Sequence, residues 1–356
     1  PQLLRSSRIT HLQELLLLFC FQQTVSAIKR GTVFEDAFQN KTIVHHISNG
    51  GTSMEPVVEP VYNRKHPGTL AYKKFFYKNA IKGVLRPHRV IFKKRRVGRD
   101  DHFVLYPQGQ KKWYKLFGVP EDVTVPFTYS DFSRAVGFME VIEGLQSNFK
   151  HLLHLKSEIW FYRELIPGEA YIIDYLFEDV LQIKPDKAAM IGCSAISRNG
   201  EQYMKMRDHF VIKDLPPRDA VYLQKDTSDQ FKGITRVPAE PLDSARMEEI
   251  YIPADLAKRY GDTSGDYNIV HTSPLMARLF GYERTFIQGL CSANLIMSRL
   301  CMGGIKLRHF TITFGRPVFM DSTVYLYYTD HEYRLQDQDN RVLCFGQINC
   351  AEDFSA

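Results

Sequence analysis

Gly289–Met302 reads GLCSANLIMSRLCM and carries a single charge, Arg299. A helix that is apolar on every side has to be buried, so this one needs a layer of structure wrapped around it. The residues that follow supply one. Leu307–Asp330 (LRHFTITFGRPVFMDSTVYLYYTD) alternates, with Phe310, Ile312 and Phe314 on one strand and Val324 and Leu326 on the next. The same strand–turn–strand order stands earlier, at Leu155–Glu178 (LKSEIWFYRELIPGEAYIIDYLFE), where Ile159, Phe161, Ile172 and Leu176 mark the inward side. Both turns hold an acid, Glu169 and Asp321. A second strand pair follows each copy. Ala188–Ser197 and Tyr203–Ile212 flank Asn199-Gly200, a strong hairpin signal, and Tyr333–Leu335 and Val342–Cys350 flank a polar turn.

Helices are expected ahead of the strands in both halves, at Ser130–Gly144 and within Glu248–Tyr260, opening near Pro253. The fold class is therefore α+β, an antiparallel sheet about a buried helix, present twice. Lys213–Ser244 is polar and proline-bearing and reads as the linker between halves. The expected organisation is a leader (1–53), a basic region (54–124), a first repeat (125–212), the linker (213–244) and a second repeat (245–356).

The chain has 356 residues, 44% hydrophobic and 24% charged, which is ordinary for a globular protein. No apolar run approaches the ~20 residues of a membrane helix, so a membrane span is excluded. Six scattered cysteines without a CxxC pair read as free thiols of a reducing compartment, and a cytoplasmic location is expected. The net charge is +6, and Pro60–Arg99 holds thirteen Lys or Arg with no Asp or Glu. Such a stretch reads as a solvated face or as a surface for an anionic partner, either a phosphate-bearing substrate or an acidic carrier protein. No helix-turn-helix, zinc or RNA-binding signature accompanies it, so no nucleic-acid partner is expected.

The first methionine is Met54, preceded by Gly50-Gly51-Thr52-Ser53. Two Gly codons can spell a purine-rich ribosome-binding sequence at a workable spacing, so residues 1–53 are read as an upstream extension with the start at Met54. The rival reading is a targeting segment, with Arg5 and Arg8 ahead of Leu15–Phe21 and Val25-Ser26-Ala27 beyond it.

The second half holds one dense polar cluster, Tyr260-Gly261-Asp262-Thr263-Ser264-Gly265-Asp266-Tyr267-Asn268-Ile269-Val270-His271-Thr272-Ser273-Pro274. Asp266 and His271 stand five residues apart on a segment bounded by Gly265 and Pro274. An irregular loop can turn both toward one point, where together they can bind a water and exchange its proton. A turn-capping Asp beside a packed His is the structural alternative. A metal would need a third ligand, which the spacing does not provide, and no nucleophile elbow supports a Ser-His-Asp reading.

These residues carry a resemblance. Ser264, Gly265, Asp266, Asn268, Val270, His271 and, six further on, Ala277 fall in register with the signature of the MaoC-like, or (R)-specific enoyl-CoA hydratase, family. Ala277–Gly281 and Ile287-Gln288-Gly289-Leu290 also resemble that family's downstream sequence. The close match runs from about Asp255 to Cys350, and the repeat extends it upstream.

The resemblance implies a hotdog fold, and two repeats imply a double hotdog, as a monomer or a homodimer. It implies a hydro-lyase of fatty acid metabolism that interconverts 2-enoyl and 3-hydroxyacyl thioesters, on coenzyme A or acyl carrier protein, without a metal or redox cofactor. Asp266 and His271 would be catalytic. The Gly289 amide would bind the thioester oxygen, and Asn268, Gly265 and Ser264 would support the loop. The strand offset places the first-half counterpart of the motif near Tyr114–Val119, where no Asp-x-Asn-x-x-His occurs. Two positions depart from the family, Ile269 for its Pro and Gln288 for its His. The competing functions are a non-catalytic acyl-binding or partner subunit and a hotdog thioesterase. Cys291 as a nucleophile, and Arg278 and Arg299 as phosphate contacts, are weaker readings than packing and surface charge.

Overall fold

The computed structural model describes residues 83, 85–91, 97–129, 145–227, 230–234, 236–237 and 242–350. The leader, Met54, Lys93–Arg96 and the helix expected at Ser130–Gly144 lie outside them.

Alternation builds the strands. Those of the first half are β1 (Val97–Val104), β2 (Leu152–Phe161), β3 (Ala170–Phe177), β4 (Leu181–Lys184), β5 (Lys187–Arg198) and β6 (Glu201–Lys213), and β7 (Gln224–Lys225) follows in the linker. Those of the second half are β8 (Arg246–Ile252), β9 (Leu307–Phe314), β10 (Ser322–Tyr328), β11 (Glu332–Gln336) and β12 (Val342–Cys350). Both expected hairpins form, β5 with β6 around Asn199-Gly200 and β11 with β12. The strand–turn–strand segments behave differently, because their strands do not pair with each other. β2 lies between β6 and β9, and β3 between β1 and β5.

One sheet results, in the order β1-β3-β5-β6-β2-β9-β12-β11-β10-β8. The order reads symmetrically about the antiparallel β2–β9 pair, where Ile159 faces Phe310 and Ser157 faces Ile312. Two copies of a five-stranded unit have thus joined edge to edge, which leaves neither joining strand exposed. β1 stands where β8 stands, and each precedes a helix, α1 (Pro107–Phe117) or, after the short α2 (Pro217–Ala220) of the linker, α3 (Leu256–Ser264). Each of α1 and α3 stops at a left-handed glycine, Gly118 (φ 66°) and Gly265 (φ 84°). We therefore place the start of the first repeat at β1, upstream of residue 125.

The expected helix opening near Pro253 is displaced. Arg246–Ile252 is strand, and α3 begins only at Leu256. The last long helix, α6, spans Gly289–Met302 as expected and is buried along nearly its whole length. Its residues join Ile159, Phe310, Ile312, Val324 and Leu326 in one core. In β3 the inward parity is the reverse of the expected one. Tyr171, Ile173, Tyr175 and Phe177 are buried, while Leu176 is 46% exposed. Three aromatic rings and Ile173 remove more apolar area from water than Ile172 and Leu176 could, and a period of two permits only one set inside.

The halves also meet through α6. Asn294 Oδ1 accepts the Thr128 amide at 2.9 Å, and Asn294 Nδ2 donates to Thr128 Oγ1 at 2.7 Å. Trp113 packs edge-on against Tyr129 and Tyr260, as a core residue. In the second half α6 laid on the antiparallel sheet is the hotdog arrangement, and the doubled sheet is that of a double hotdog.

Candidate active site

The polar cluster folds as a chain of caps. Ser264 Oγ donates to the Tyr260 carbonyl (2.8 Å) and accepts the Asp266 amide (3.2 Å). Gly265 closes α3, its N–H reaching Gly261 O at 2.9 Å. Asp266 Oδ1 accepts the Asn268 amide at 3.1 Å, an Asx turn, and Asn268 Oδ1 accepts the Val270 amide at 3.3 Å. Asn268 thereby caps a one-turn helix, α4 (Ile269–Thr272), which carries His271. Ser273 Oγ accepts the Met276 amide (3.4 Å) and starts α5 (Pro274–Leu279). Ile269 occupies the first helical position of α4, and the backbone is helical there. Pro is favoured at that position but is not required, so the departure leaves the turn intact.

His271 is buried, with Nδ1 3.0 Å from the Phe286 carbonyl and its ring edge-on to Phe286. A carbonyl only accepts, so Nδ1 carries the proton and Nε2 presents its lone pair. Burial lowers the His271 pKa, and Asp266 and the Phe286 carbonyl partly oppose this. Asp266 thus lies near enough to act on the imidazole. Its Oδ1 is taken by the Asn268 amide, whereas Oδ2 has no hydrogen-bond partner among the described residues. The capped turn and α4 fix the backbone on which Asp266 and His271 stand, with the carboxylate within electrostatic reach of the imidazole.

Gly289 opens α6, so its N–H is among the groups a helix start leaves without an intrahelical partner. A Cβ built there would lie 3.2 Å from the Phe314 ring, so any side chain at 289 asks that ring to yield. Gln288 precedes it, 1% exposed, and its Nε2 donates to the Ala257 carbonyl and to the Asp266 carbonyl, both at 3.0 Å. The structure therefore brings Asp266 and Gly289 together through Gln288, a link spanning 22 residues that no local pattern announces. Phe286 is likewise visible only in three dimensions.

The remaining sequence candidates have other work. Arg299 pairs with Glu248 at 3.3 Å, Arg278 is exposed, and Cys291 is a buried thiol. Glu169 pairs with Arg198, and Asp321 accepts from the Tyr251 hydroxyl. Arg99 of the basic stretch forks Asp174 on β3 at 2.6 and 2.9 Å. By the glycine caps, the first-half counterpart of Asp266–His271 is Val119–Thr124, five residues beyond the expected place, and it too lacks the motif. Among the described residues, no cluster of three His, Cys, Asp or Glu is placed to hold a metal ion, and no helix is long and apolar enough to cross a membrane.

Known proteins bear on this geometry. The chain is 29% identical over 70 residues to 3-hydroxyacyl-thioester dehydratase X of Mycobacterium tuberculosis, covering 20% of this chain and 25% of that protein. It is 22% identical over 195 residues to peroxisomal multifunctional enzyme type 2 of Mus musculus, covering 53% of this chain and 25% of that protein. The matched segment is thus about a quarter of the length of each curated relative. A MaoC-like dehydratase from Phytophthora capsici superposes with a TM-score of 0.58 at 16% identity, over 78% of this chain and 99% of that one, a likeness of fold. Residues 235–343, which contain the whole capped loop, match the family described as MaoC like domain, so this part of the chain is similar to a MaoC-like domain.

Proposed function

We propose that the protein is an (R)-specific hydratase/dehydratase interconverting 2-enoyl and 3-hydroxyacyl thioesters. The observation that supports this reading is that the Phe286 carbonyl fixes the His271 ring, while the Asp266 carboxylate lies within electrostatic reach and keeps one oxygen without a hydrogen-bond partner among the described residues. In hydration, His271 Nε2 takes a proton from a water that Asp266 Oδ2 orients, and the oxygen adds to the β-carbon. Negative charge then spreads onto the thioester oxygen, where the Gly289 amide and the N-terminal end of α6 stabilise it. The proton held by the pair goes to the α-carbon, which completes addition of one water across the double bond. Dehydration runs the same steps backwards. Coenzyme A or acyl carrier protein brings the thioester, and the first half, without a dyad, walls the acyl site.

Two measurements test this. Incubation with crotonyl-CoA should consume the double bond without releasing free thiol. Thiol release would instead mark a thioesterase, and binding without either change a non-catalytic subunit. The pH profile supplies the second. Burial keeps His271 neutral until the pH drops below the ordinary imidazole value of 6.5. The active form is the deprotonated one, so kcat/KM should stay level through neutral pH and fall only on acidification below that value. An acid limb centred above it would contradict the assignment of His271 as the base.

A further inference from the structure

Gln288 is an uncharged residue sealed at the meeting point of three elements that carry the proposed chemistry. Its backbone caps α6 immediately before Gly289, and its side chain reaches α3 at the Ala257 carbonyl and the loop at the Asp266 carbonyl. The amide orientation is dictated by its surroundings, since turning it over would set oxygen against two carbonyl oxygens. That choice has a cost, because Oε1 is buried with no hydrogen-bond partner among the described residues. A buried acceptor left unmade is unfavourable, so the two N–H bonds must matter enough to retain it.

We propose that Gln288 is a positioning residue for the reaction. One side chain ties the main chain of Asp266, which holds the water, to the residue before Gly289, which holds the thioester oxygen. The spacing between these two poles is then set by a single amide and not by loop packing alone. The inference rests on the hydratase reading. It requires a donor at 288, because two main-chain acceptors converge there, and it assigns Gln288 no contact with substrate.

The test compares full-length Gln288→Met, which keeps length and burial but has no donor, with Gln288→His, which retains a ring N–H. Gln288→Met should lower kcat by about 10²-fold with KM nearly unchanged, the expected consequence of misplaced reacting groups. Gln288→His should restore most of that loss at an unchanged melting temperature. Equal kcat in Gln288→Met and wild type, or equal losses in both variants, would overturn the proposal. If wild-type protein turns over no enoyl thioester, the hydratase reading fails instead. The amide resonances of Asp266 and Asn268 then decide the inference. They should shift in Gln288→Met and return in Gln288→His, and unshifted resonances would overturn it.

Discussion

Replacing Asp266 by Asn or His271 by Ala is expected to lower kcat by about 10²–10⁴-fold, the span of one general acid–base contribution. Asp266→Asn keeps the size of the side chain and the oxygen that accepts the Asn268 amide, so the Asx turn survives while the carboxylate charge is lost. His271→Ala removes the lone pair that Phe286 orients. The double variant should be little worse than either single one, because both groups serve one water and groups acting as a unit are not additive. Circular dichroism of all three should match wild type. Near-wild-type rates in either single variant would leave the dyad without a role.

Gly289→Val carries the second large effect, a loss of about 10²–10³-fold in kcat, as when one oxyanion donor is removed. Already the first added carbon would sit 3.2 Å from Phe314, tighter than ordinary contact. The two γ-methyl groups of Val would add to this and cover the amide at the start of α6. Gly289→Ala, which asks Phe314 to yield by a few tenths of an ångström, should lose less. Stability should change little in Gly289→Ala, which separates loss of the amide from loss of the helix. Rates for Gly289→Val equal to wild type would remove Gly289 from the mechanism.

Much of this architecture is legible in the residues, for reasons that differ between elements. The boundaries of α6 follow from composition alone, since a run from Gly289 to Met302 that is apolar on every side, with Arg299 its single charge, has only one way to escape water. The hairpins follow from their turns. The face of β3 does not, because Tyr171–Phe177 is apolar at nearly every position and two apolar sets compete for the inside. Nor does strand order. Short-range alternation defines a strand, but it does not reveal that β2 pairs with β9, about 150 residues away. The same division runs through the site. Asp266, Asn268 and His271 are close in sequence, so spacing exposes them. Their supports are the Phe286 carbonyl and the Gln288 amide, which reach them across 15 and 22 residues, and Gln288 reads locally as no more than a departure from the family.

The measurement that bears most directly on the central claim uses wild-type protein, a panel of 2-enoyl thioesters of several chain lengths on both coenzyme A and acyl carrier protein, and chiral analysis of the product. Hydration of at least one member to the (R)-3-hydroxyacyl thioester, abolished in Asp266→Asn, is the expected result. No hydration of any member, or hydration that Asp266→Asn leaves undiminished, would contradict it.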